Sequence, residues 1–109
     1  MKKILISALT MIFMTISANA VCSGTGCYNE TITRVILSEA GDIYITTPGD
    51  ENALNCIPYG GIYMTLKNDA VAKNSIYSLL LTSKTTKQKM SFRTLDGSTG
   101  CEIVFAYVE

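Results

Sequence analysis

Apolar and polar residues alternate through most of this chain, and one segment changes to a three-and-four spacing. Thr31 to Leu37 is rich in β-branched residues, as is Ile43 to Thr47, and Glu39-Ala40-Gly41-Asp42 between them is turn material. Two such runs around a short Gly-containing turn predict a hairpin, and Pro48-Gly49-Asp50 ends its second strand. Glu51 to Pro58 is irregular. Gly60-Gly61 then opens a third strand, Ile62 to Leu66, in which Ile62, Met64 and Leu66 alternate with Tyr63 and Thr65 and are expected in the core. Ile76, Leu79, Leu80 and Ser83 fall at helical spacing, with Val71 and Ala72 extending the stripe at its start. The spacing predicts a helix over 72–84, with Asn74 or Ser75 as its cap and with Lys84, Lys87 and Lys89 at its end and following turn. Thr85 and Thr86 are poor continuers. Met90, Phe92 and Thr94 alternate with Ser91 and Arg93 in a fourth strand. Asp96 to Gly100 is a loop, and Cys101 to Val108 is a fifth strand. In that last strand Ile103, Phe105 and Tyr107 share one face. Val104, Ala106 and Val108 share the other, so the strand is expected to be central.

The predicted order is β-β-β-α-β-β, a mainly β chain with one helix. It matches the element order of a five-stranded OB-like barrel, which is preferred to an open α+β sheet because closure limits exposed edges.

The N-terminus adds a compartment. Met1-Lys2-Lys3, the apolar run Ile4 to Ile16 and Ala18-Asn19-Ala20 form the three parts of a signal peptide. The run is too short for a stable membrane span, which needs about 20 residues. Residues 1–20 are expected to be removed, leaving residues 21–109 as a single disulfide-bonded domain, periplasmic or secreted, with no membrane attachment after cleavage. Without Lys2 and Lys3, seven basic residues face nine acidic ones, a net charge of −2. With no basic run to follow a phosphate backbone, nucleic acid is excluded as a partner.

A domain of this size buries a modest share of its surface and needs help to be stable. Cys22, Cys27, Cys56 and Cys101 all follow the predicted cut, an even count that reads as two disulfides. Of three pairings, Cys22–Cys27 and Cys56–Cys101 are favoured, because two glycines let Cys22-Ser-Gly-Thr-Gly-Cys27 close tightly. Zinc is not expected, since the chain has one close cysteine pair and no His.

The segments Cys22-x₄-Cys27, Ile32-x-x-Val35, Gly41-Asp42-Ile43-Tyr44-Ile45, Cys56, Ile76-Tyr77-Ser78-Leu79-Leu80-Leu81 and Gly100-Cys101-Glu102-Ile103-Val104 together resemble small exported uncharacterised proteins of Gram-negative, often marine, bacteria. This pattern of spacings spans most of 22–108 and contains no catalytic motif. In plan the chain is also similar to the receptor-binding subunits of pertussis- and subtilase-type toxins. That likeness implies a disulfide-bonded OB barrel, a glycan ligand and a homo-oligomeric ring. It carries over no sugar-binding residue, and fold analogy does not establish function.

Chemistry narrows the field further. The chain has no His and no Trp, so the commonest general base is missing, and oxidised cysteines offer no thiolate. The acidic pairs Glu39/Asp42 and Asp50/Glu51 sit in turn sequence, where carboxylates serve solubility and local hydrogen bonds. Asn29-Glu30-Thr31 matches a glycosylation pattern and is incidental in a bacterial secretory context. No catalytic residue, cofactor or metal is expected, and the chain is read as a non-enzyme. The six tyrosines are numerous for so short a domain. A tyrosine joins an apolar face to a polar tip and suits binding surfaces. Tyr59, Tyr63, Arg34 and Arg93 are the candidate ligand-binding residues; the alternative is that the tyrosines pack a barrel rim and the arginines are solvated. The expected function is an exported, non-catalytic module recognising a glycan or a protein surface. The alternative is a monomeric periplasmic interaction or inhibitor protein acting on one partner.

Overall fold

The computed structural model describes residues 21–108. The segment read as a signal peptide, residues 1–20, lies outside the described residues. Among those described, the chain is mainly β with one helix. The strands are β1 (Val21–Ser23), β2 (Gly26–Glu30), β3 (Arg34–Leu37), β4 (Ile43–Thr46), β5 (Ile57–Pro58) and β6 (Met64–Leu66). After helix α1 (Lys73–Thr86) come β7 (Met90–Thr94), β8 (Thr99–Gly100) and β9 (Ile103–Tyr107). They form three open sheets, ordered β1-β2-β7-β9, β3-β4-β6 and β5-β8, rather than one closed five-stranded barrel. The two larger sheets meet where Thr65 bridges Glu102 in parallel, its N–H donating to the Cys101 carbonyl at 3.0 Å.

The five expected strands and the helix are all present, each near its expected place, and four short strands join them. Two of these, β1 and β2, form a hairpin in which Cys22 stands opposite Cys27. Gly24, at φ 61°, turns the chain in the left-handed conformation that glycine adopts at low cost. Both favoured disulfides are present. Cys22–Cys27 closes the hairpin with Cα atoms 3.9 Å apart, and Cys56–Cys101 joins positions 45 residues apart.

The core lies between the sheets and the helix. Ile43, Ile45, Met64, Leu66, Leu80, Met90 and Phe92 are buried in it, each worth about 1.5–3 kcal/mol of transfer free energy. Helix α1 turns Ile76, Leu80 and Ser83 inward. It starts without a side-chain cap and runs two residues past the expected end; along this stretch Thr82 and Thr86 donate their hydroxyls to the carbonyls of Ser78 and Thr82 one turn back. Lys87, left-handed at φ 61°, then stops it.

Two packing expectations fail for local reasons. Ile62 is exposed, because the reversal at Gly60-Gly61 delays the strand until Met64. Strand β9 is an outer strand of its sheet rather than a central one. An irregularity opposite Arg93 and Thr94 leaves Val104 unpaired between Ile103 and Phe105. The extra residue reverses the inward face: Ile103 is buried, whereas Phe105 and Tyr107 point outward.

Candidate functional site

The three-stranded meander β3-β4-β6 carries the site. Its hydrogen-bonded register sets Val35 against Ile45 and Ile36 against Tyr44. Period-two alternation therefore sends Ile43 and Ile45 to the core and turns Tyr44 outward. The turn that follows β5 brings two further rings back over the same face. Tyr59 pairs with Tyr63 across the glycines, its N–H donating to the Tyr63 carbonyl at 2.9 Å. Gly60 and Gly61 take φ of 60° and 83°, so side chains there are strained.

Three rings cluster as a result. Tyr44 and Tyr59 are stacked with centroids 4.2 Å apart and planes 11° from parallel. Tyr63 lies 6.2 Å from Tyr44 and 6.5 Å from Tyr59. Tyr59 is 52 % exposed, so its ring is partly open to solvent. Desolvation pushes the Tyr44 phenol above its ordinary pKa, with neighbouring Tyr59 and Asp42 adding to the effect.

Arg34 extends the cluster. Its Nη1 donates to the Tyr63 hydroxyl at 3.1 Å, and no carboxylate pairs with it among the described residues. Beside it opens a cleft of about 300 Å³ lined by Thr33, Arg34, Thr46, Thr47, Glu51 and Ile62. Asp50 caps the short 3₁₀ turn Glu51–Ala53, its Oδ1 accepting from the Asn52 N–H at 3.0 Å. This sets Glu51 back toward β4, where its Oε2 accepts the Thr47 N–H at 3.0 Å and the Thr47 hydroxyl at 2.7 Å.

A second carboxylate lies nearby. Glu30 is fully buried at the end of β2, and its Oε1 accepts the Gly49 N–H at 3.0 Å. Desolvation holds its carboxyl above the ordinary glutamate value, with nearby Glu51 adding and the Gly49 hydrogen bond opposing. A Cβ at residue 49 would stand 2.6 Å from Glu30 Oε2 and 2.8 Å from Cys22 Sγ, so glycine is required by space at that point.

Three of the four sequence candidates, Tyr59, Tyr63 and Arg34, are therefore brought together. Arg93 is not among them. It stands on the outward side of β7, with its guanidinium 5.8 Å from the Phe105 ring centre. Asp42, Asp50 and Glu51 of the two acidic turn pairs take structural hydrogen bonds. Asp42 Oδ1 accepts from the Asn68 N–H at 2.7 Å, Asp50 caps its turn, and Glu51 accepts from Thr47. Sequence reasoning passed over Tyr44 and the threonines of the cleft. The signal for Tyr44 was its alternation with Ile43 and Ile45. Glu51 stood in the sequence only as half of an acidic turn pair; its hydrogen bonds to Thr47 and its place in the 3₁₀ turn became visible in the structure.

No family model matches the chain, and neither a curated protein nor a solved structure matches it. The two disulfides stand as described, and among the described residues no helix is long and apolar enough to cross a membrane.

Proposed function

We propose that this protein is an exported, non-catalytic binding module that recognises a glycan on the meander face. The observation that carries the reading is the continuity of a partly exposed tyrosine stack with a cleft of apolar surface and a few polar groups, joined through the Arg34–Tyr63 hydrogen bond. Aromatic rings offer a flat apolar face to the C–H side of a sugar, and a cleft with a few convergent polar groups fixes its orientation. A flat protein partner would leave the free donors of Arg34 and the second oxygen of Glu51 unfilled, which favours a small hydroxylated ligand over a protein surface. The non-catalytic part rests on Glu30, which is sealed behind Gly49 while Glu51 alone lines the cleft. Two-carboxylate glycoside hydrolysis needs both acids to flank one bond.

Export is supported by the signal-like leader and the disulfides. The finer architecture, an OB-like five-stranded barrel, belongs to the same proposal. Its support is the order of neighbours: β3-β4-β6, then the parallel Thr65–Glu102 bridge, then β9-β7-β2, with β2 and β3 consecutive in the chain. Homo-oligomerisation is a further expectation of the toxin-subunit likeness.

The test is a glycan microarray probed with the oxidised mature protein. Saturable binding to a subset of glycans, lost on Arg34→Ala with an unchanged circular dichroism spectrum, is the expected result. Failure to bind any glycan, together with recovery of one stoichiometric partner protein from periplasm, would replace this reading by that of an interaction or inhibitor protein.

A further inference from the structure

We infer that the cleft accepts a single electrically neutral, hydroxyl-rich sugar ring and discriminates against acidic sugars. The inference rests on the glycan-binding reading above and names the ligand class of that site.

Size comes first. About 300 Å³ is the low end of small-ligand cavities, room for one ring, and the cleft is open to solvent, so the rest of a glycan can extend from it. The charged groups of the lining decide the rest. The cleft holds one cation, Arg34, and one carboxylate, Glu51. Arg34 spends one N–H on the Tyr63 hydroxyl. Its guanidinium carries five donors in a planar fork, so four remain for ligand oxygens. Both hydrogen bonds to Glu51 fall on Oε2, and among the described residues none falls on Oε1. Oε1 is therefore the acceptor the cleft offers. A ring hydroxyl both donates and accepts, so a neutral polyol can satisfy Oε1 and the guanidinium together.

A sugar carboxylate can accept from Arg34, but it has no proton to give Glu51 and stands against a like charge within the same small cleft. Like charges placed close together in a partly desolvated site are strongly unfavourable. An ammonium group meets the converse problem at Arg34. The threonines add no charge, and Thr33 and Thr46 satisfy each other, with hydroxyls 2.6 Å apart.

The experiment compares matched glycans that differ only in their last residue: a neutral hexose or N-acetylhexosamine, the same chain capped with a sialic acid, and the same chain capped with a uronic acid. Binding is measured by calorimetry on the oxidised mature protein. The neutral terminus is expected to bind at least tenfold more tightly than either acidic one. Glu51→Gln keeps an acceptor at this position but removes the charge, and is expected to narrow that ratio several-fold. Should Glu51→Gln fail to fold, Arg34→Gln on the exposed strand β3 serves instead; it is expected to weaken neutral binding without letting acidic termini overtake it. Tighter binding of an acidic terminus would overturn this inference and leave the glycan-binding reading standing. Absence of binding to all three would overturn both.

Discussion

On the meander, Arg34 donates to Tyr63 beside a stacked pair of tyrosines. On the four-stranded sheet, Arg93 lies over Phe105, whose ring centre is 6.2 Å from that of Tyr107. Both surfaces set a guanidinium among exposed rings. They differ in what adjoins the rings. Beside Arg34 the 3₁₀ turn and the end of β4 leave a cleft whose lining includes Glu51, held in place by Thr47. Beside Arg93 the structure sets Phe105 and Tyr107, two exposed rings on one outer strand. Exposed aromatic area is common on protein surfaces; a hollow with directed polar atoms beside it is what selects one ligand from many.

The largest expected effects concern the links that hold the two regions. Replacing Cys56 and Cys101 by Ala is expected to cost about 4 kcal/mol, and replacing Cys22 and Cys27 about 2 kcal/mol, on the chain-entropy model. Urea denaturation of the two double variants measures this. Cys56–Cys101 also secures β5, which pairs with β8 and leads into the Tyr59 turn. Its loss should therefore weaken glycan binding in protein that is still folded, while loss of the hairpin disulfide should not. Equal effects of the two on binding would break the comparison.

A smaller effect separates the two aromatic surfaces directly. Tyr59→Ala is expected to weaken binding by about tenfold, the cost of losing an anchoring ring at the centre of a contact. Phe105→Ala is expected to leave the affinity unchanged. Titration of both variants against the best neutral glycan tests this, and a loss on Phe105→Ala would move the site to the other sheet.

The subtlest prediction concerns Glu30, which lies where the two regions join. Its carboxyl is raised in the folded state by burial, so the folded protein keeps this proton to higher pH than the unfolded chain does. Stability from this group is full below the ordinary glutamate value of 4.5 and declines as pH rises from there through the folded value. Chemical denaturation across that interval should show the decline, and Glu30→Gln should flatten it. A decline that persists in Glu30→Gln would assign the effect to another acid.

Much of this was legible along the chain. The β-branched run Ile43 to Thr47 located one strand, and the alternation of Tyr63 with Met64 located another and set Tyr63 off its core face, because a strand's two-residue period is a local property of the backbone. The 3.6-residue period located the helix for the same reason, and the even cysteine count in a short chain indicated two disulfides. The reversal of β9 was not legible. A bulge depends on which residue of β7 each residue of β9 faces, and Arg93 and Thr94 are distant in sequence. Strands β1, β5 and β8 were missed because two or three residues carry no usable period, and β2, five residues long, because Gly26 to Glu30 shows no apolar alternation.

The sequence by itself pointed to five of the strands, the helix, their order and the favoured cysteine pairing, since each follows from local spacing or loop closure. Only the tertiary structure decided that Arg34, Tyr44, Tyr59 and Tyr63 share one surface, that Arg93 stands on another, and that Arg34 and Glu51 line one cleft. Those outcomes depend on contacts between segments 10 to 30 residues apart, fixed by sheet register and by hydrogen bonds that no local pattern encodes.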